Sequence, residues 1–142
     1  MSDKGFSTFA TTMDKTNHIL KLIEQAYGWP HDLRRQSYAA LRAVLHALRD
    51  RLTVEEAAQL SAQLPMLVRG IYFEGWVPSR VPMKMHRDEI LQRVAEDFPY
   101  DVEGGVERLI PTVLEALRVN ITEGEWEDVK SAMPKELATI LP

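Results

Sequence analysis

Apolar residues recur at helical spacing along nearly the whole chain, and nowhere do they alternate one by one with polar residues as a half-buried strand would require. The clearest run is Leu41, Val44, Leu45, Leu48 and Leu52, and its spacing reappears in Ile110, Val113, Leu114, Leu117 and Ile121. Each run marks a helix with one buried face. An earlier stripe of Phe9, Met13, Leu20, Ile23 and Tyr27 predicts a first helix over Ser7 to Tyr27, with these residues on its inner side and Gly28-Trp29-Pro30 closing it. The pattern predicts an all-α fold.

Shifting the chain by 69 residues aligns Leu20–Tyr72 with Glu89–Leu141 without a gap, with identical residues at 13 of 53 positions. Pro30/Pro99, Leu48/Leu117, Thr53/Thr122 and Pro65/Pro134 are among them, and the apolar positions match more widely still. This predicts a duplicated unit of about four helices: residues 6–73, then a connector over 74–85, then 86–142, all packed into one cooperative body. In each unit a threonine with a glutamate three residues on, Thr53/Glu56 and Thr122/Glu125, fits a capping box opening the third helix. Pro65 and Pro134 stand where a fourth helix would begin. Pro111 replaces Arg42 within the second helix of the second unit. Proline there removes a hydrogen bond and crowds the preceding turn, at about 3 kcal/mol unless the helix bends, so a kink near Glu107 is expected.

The connector, from Glu74 to Met85, has no helical period, yet Trp76, Val77, Val81, Met83 and Met85 make it too apolar for a solvated tether. It should lie as an ordered strap against the helices. The run Gly70-Ile71-Tyr72-Phe73-Glu74-Gly75-Trp76, followed by Pro78, Pro82, Lys84 and Arg87-Asp88-Glu89, resembles a recurring motif of the bacterial domain of unknown function 2267, although Ile90 stands where that family has Phe. The resemblance extends over nearly the whole chain and implies a bacterial, all-helical protein. It supplies no catalytic residue.

Composition narrows the classes. With 17 Lys and Arg against 21 Asp and Glu, the net charge is −4, and no block of like charge suggests nucleic acid or a membrane surface as a partner. There is no cysteine, so disulfides, thiolate nucleophiles and cysteine zinc sites are excluded, and a reducing cytoplasm is the expected compartment. Met1-Ser2-Asp3-Lys4-Gly5 lacks the basic-then-apolar order of a signal peptide, and no apolar run is long enough for a spanning helix.

Candidate chemistry is sparse. No two of His18, His31, His46 and His86 are spaced as paired metal ligands, and the acids around Asp88, Glu89, Asp97, Asp101 and Glu103 have nothing to converge them. No catalytic residue, metal or cofactor is expected. The candidate binding residues are Arg35, Arg42 and Arg49, seven apart on the face of the second helix away from its leucines, with no aromatic residue counted among them, together with Trp76, Arg80 and His86 around the strap. Trp126 and Trp29 read as core and helix-end plug, whereas Trp76 has no counterpart in the second unit. The leading expectation is a non-enzymatic interaction or scaffold protein with a protein partner. The alternative is a small-molecule binder or enzyme using a cleft between the units, bordered by Trp76, Arg80 and His86.

Overall fold

The computed structural model describes residues 6–142, so the amino-terminal reading at residues 1–5 lies outside the described residues. Seven α-helices follow one another among them: α1 (Ser7–Tyr27), α2 (Arg34–Arg51), α3 (Val54–Ser61), α4 (Met66–Phe73), α5 (Arg87–Asp97), α6 (Gly105–Arg118) and α7 (Glu123–Ser131). Short 3-10 turns at His31–Leu33, Pro78–Arg80 and Lys135–Leu137 complete the regular structure, and the described residues contain no strand.

Helix ends are set by local chemistry. Gly28 closes α1 at φ 72°, a left-handed conformation open to glycine, and the amides of Gly28 and Trp29 bond back to Gln25 and Glu24. The predicted capping box opens α3: Thr53 Oγ1 accepts from the Glu56 amide at 3.1 Å, and Glu56 Oε1 accepts from the Thr53 amide at 2.9 Å. At α7 only half of the predicted box forms. Thr122 Oγ1 accepts from the Glu125 amide at 3.2 Å, but the Thr122 amide donates to Gln63 Oε1 at 2.7 Å, an acceptor from the other half of the chain. Pro111 lies inside α6 and leaves the Glu107 carbonyl without its usual helical donor. Pro65 precedes α4 as predicted, but Pro134 precedes only the three-residue 3-10 turn.

One hydrophobic core joins the whole. Helix α2 packs against α1, α4, α5 and α6, while α1 also packs on α6 and α3 on α7. Leu41, Leu45, Leu52, Leu109, Leu117 and Trp126 are all almost completely enclosed, and each such side chain contributes about 1.5 to 3 kcal/mol of transfer free energy. Because α2 has neighbours on several sides, every residue from Ala43 to Asp50 is buried, including His46, Arg49 and Asp50. Two members of the α1 stripe depart from expectation. Leu20 and Ile23 are buried, but Phe9 and Met13, toward the start of the helix, remain 56% and 41% exposed.

Candidate functional site

The candidate arginines lie on α2, and the structure divides them. Arg35 is exposed. Arg42 is partly exposed and pairs with Glu74, Nε to Oε1 at 2.8 Å. Arg49, expected on the outer face, is 3% exposed. The reason is the path of α4 and the strap, which run over that side of α2. Arg49 Nη1 donates to the backbone oxygens of Tyr72 and Glu74, both at 2.8 Å, and His46 Nε2 lies 2.8 Å from the Ile71 oxygen. These carbonyls belong to the end of α4, where helical donors run out and the dipole favours positive charge. His46 and Arg49 therefore form a hydrogen-bonding cradle for that helix end, and Arg42 pairs with the exposed Glu74 side chain beside it.

The same pattern recurs elsewhere. Arg69 donates to the oxygen of Ser61, the last residue of α3, and to that of Leu64 just after it, and Arg108 donates to the Ala26 oxygen at 2.9 Å with its guanidinium 4.2 Å from the centre of the Tyr27 ring. Helices α1, α3 and α4 have no basic residue in their own last turn. Each takes an arginine from outside its last turn instead. That absence is readable in the sequence, but α5 shares it, so it becomes informative only once the donor helix is known.

Asp50 continues the network. Its carboxylate accepts from Arg49 Nε at 2.8 Å and pairs with Arg93 of α5, while its backbone oxygen accepts from the Met83 amide of the strap at 2.7 Å. Burial alone would raise the Asp50 carboxyl, but the hydrogen bonds and charges of Arg49 and Arg93 outweigh it and hold the group below its ordinary range. Burial pushes His46 the other way, below the usual imidazole value, despite the bond to Ile71; Arg49 and Arg42 add to the effect. On the far side, buried Glu24 is gripped by Arg34 through both oxygens, at 2.7 and 3.1 Å, and by Ser37 at 2.5 Å. Burial again opposes ionisation there and the hydrogen bonds prevail, so Glu24 too is held low. These are saturated carboxylates and a neutral imidazole tied to the backbone, each joining two elements rather than facing a reactant.

Trp76 is half-buried against Phe73, with ring centres 5.0 Å apart, and among the described residues no group accepts from its indole N–H. Arg80 is exposed in the 3-10 turn of the strap. His86 opens α5, and its Nδ1 lies 3.4 Å from Glu136. Trp76 thus leans on α4 while His86 faces the last 3-10 turn. Between α2, α5 and α6 lies a void of about 20 Å³ lined by aliphatic side chains such as Val44, Ile90 and Ile110. That is about the room one water needs, and its lining offers water no partner.

One residue missed in the sequence reading belongs with the exposed arginines. Tyr38, three residues after Arg35 and four before Arg42, is 39% exposed on the same helical face, so an aromatic side chain does stand between them. Among the described residues no group of three or more His, Cys, Asp or Glu is placed to hold a metal ion, and no helix is long and apolar enough to cross a membrane.

Comparison with curated proteins finds no match. A family whose members are described as uncharacterized conserved protein (DUF2267) matches residues 16–140, a span that takes in all seven helices but the start of α1. The chain is a member of the DUF2267 family.

Proposed function

We propose that this chain is a duplicated helical scaffold of the bacterial cytoplasm that acts by binding another macromolecule, without catalysis of its own. The duplication is supported by the 69-residue register, under which Thr53 and Thr122 open α3 and α7 and Pro65 and Pro134 precede the elements that follow. In this reading residues 6–73 and 86–142 are the repeats and 74–85 is the ordered strap between them.

The observation that carries the binding role is the outward face of α2. Arg35, Tyr38 and Arg42 project at i, i+3 and i+7, next to a buried set of charges already held by structural partners. Arginine and tyrosine are residue types enriched where proteins meet, and an acidic protein surface is the matching partner. Affinity capture from the native host tests the reading. A stoichiometric protein partner is the expected outcome; a co-purified metabolite would favour a small-molecule role instead.

A further inference from the structure

We propose that two copies of this chain pair across a two-fold axis through the exposed first turns of α1, with the start of α4 at the edge of the contact. Large apolar side chains left in solvent gather there. Phe6, Phe9 and Met13 along α1, with Met66 and Leu67 at the start of α4, are between 41 and 64% exposed. The ring centres of Phe6 and Phe9 are 5.5 Å apart, the Leu67 amide donates to Thr12 Oγ1 at 2.8 Å, and Met66 lines one surface depression with Thr8 and Thr11. The five therefore belong to one end of the molecule.

Their area matches what a stable dimer needs. An enclosed aromatic side chain buries about 150 to 250 Å², so at these exposures the five leave on the order of 450 Å² of apolar surface on each copy. Homodimer interfaces are about 65% apolar, which makes this patch the apolar share of about 700 Å² per copy, near the roughly 800 Å² of a standard stable interface. The adjoining Met1-Ser2-Asp3-Lys4-Gly5 has only one large apolar residue to offer against it.

A second copy fits because the stripe is complementary to itself. No charged residue stands between Phe6 and Met13, so two such stretches can meet without desolvating an ion. In an antiparallel pair with its axis between Phe9 and Ala10, each Phe6 faces the second copy's Met13 and each Phe9 faces the second copy's Ala10. Large then stands against small, and every contact occurs twice, as a two-fold interface requires. The edge-to-face contact of Phe6 and Phe9 already orders both rings within one copy, which reduces the freedom lost on pairing.

Sedimentation velocity of the intact protein, from micromolar to hundreds of micromolar, should show a monomer–dimer equilibrium. Phe9→Glu should weaken it about thirtyfold or more, the effect of losing one central anchor, and leave the far-UV circular dichroism unchanged because the side chain is exposed. The chain has no cysteine, so a single introduced thiol reports the geometry. Ala10→Cys sits beside the axis and should give a covalent dimer on mild oxidation. Exposed His18→Cys should not, since the antiparallel arrangement holds its two copies about 25 Å apart along the helices at 1.5 Å per residue. A protein that stays monomeric throughout would overturn the proposal and leave this face to another occupant. A dimer that Phe9→Glu leaves intact would overturn it too, as would crosslinking of His18→Cys as ready as that of Ala10→Cys.

Discussion

Arg49 Nη1 donates to the backbone oxygen of Tyr72 at 2.8 Å, joining the middle of α2 to the last turn of α4. A side chain that regular spacing would put on the outer face thus closes the end of another helix. Replacing it leaves the Tyr72 and Glu74 carbonyls short of a donor and removes one of the two guanidiniums from Asp50. Arg49→Met is expected to lower stability by about 3 to 5 kcal/mol, the range for breaking one side of a buried ion pair. Arg49→Lys should recover only part of it, because a single ammonium cannot hold the carboxylate and the carbonyls with a guanidinium's planar fork. Urea unfolding of the three proteins measures both.

Acid should weaken the fold in two steps. His46 is held below its ordinary value in the folded protein by burial, with Arg49 and Arg42 adding to it, so the unfolded chain binds the extra proton first. Stability is then full above the unfolded value of about 6.5 and declines as pH falls through it toward the folded value. Asp50 and Glu24 are likewise held low, so their contribution is present above an unfolded value near 4 and is lost as pH drops toward their folded values. Thermal midpoints recorded from pH 8 downward should hold until the unfolded imidazole value of about 6.5 is approached and then fall, and His46→Gln should flatten the portion just below that value. An unchanged slope in that variant would remove His46 from the account.

Trp76 separates packing from hydrogen bonding. Its ring fills space against Phe73, but its N–H has no acceptor among the described residues. Trp76→Ala should therefore cost about 2 to 4 kcal/mol, toward the lower part of the range for emptying a packed aromatic site because the residue is half-buried. Trp76→Phe should cost only about 1 kcal/mol, since it keeps an aromatic ring and loses no bond. Denaturation midpoints give the comparison directly.

Gln63 and Thr122 form a two-way contact across the halves: the Thr122 amide donates to Gln63 Oε1 at 2.7 Å and Gln63 Nε2 donates to Thr122 Oγ1 at 3.3 Å. Gln63→Ala and Thr122→Ala should each cost about 1 kcal/mol. The double variant should lose less than their sum by about 0.5 kcal/mol or more, because the residues share bonds. Thr53→Ala, in the complete capping box of α3, should also cost about 1 kcal/mol but add independently.

The elements that periodicity and punctuation define were legible in the sequence. The bounds of α1, the leucine face of α2 and the opening of α3 at Thr53 all follow from local rules. What was not legible depends on neighbours that a spacing argument cannot supply. Arg35, Arg42 and Arg49 look alike in sequence, yet the path of α4 and the strap leaves the first exposed, pairs the second and buries the third. Thr122 has the same local signature as Thr53, and Gln63, distant in sequence, takes its amide. Phe9 and Met13 satisfy the helical period but are left exposed, because an apolar stripe is buried only as far as a partner covers it. Tyr38 was readable as the aromatic between Arg35 and Arg42, but its place on the outer face emerges only with the burial of the opposite side.

We propose that the outer face of α2 meets a protein partner while its inner polar groups hold the fold. The most direct measurement is quantitative affinity capture from the native host with the wild-type protein and with Arg35→Glu/Arg42→Glu as baits. Both replaced side chains lie at least partly outside, so the thermal midpoint should shift by no more than the equivalent of about 1 kcal/mol. A stoichiometric protein partner is expected on the wild-type bait, and its loss by about tenfold or more on the variant. Equal recovery on both baits would contradict it.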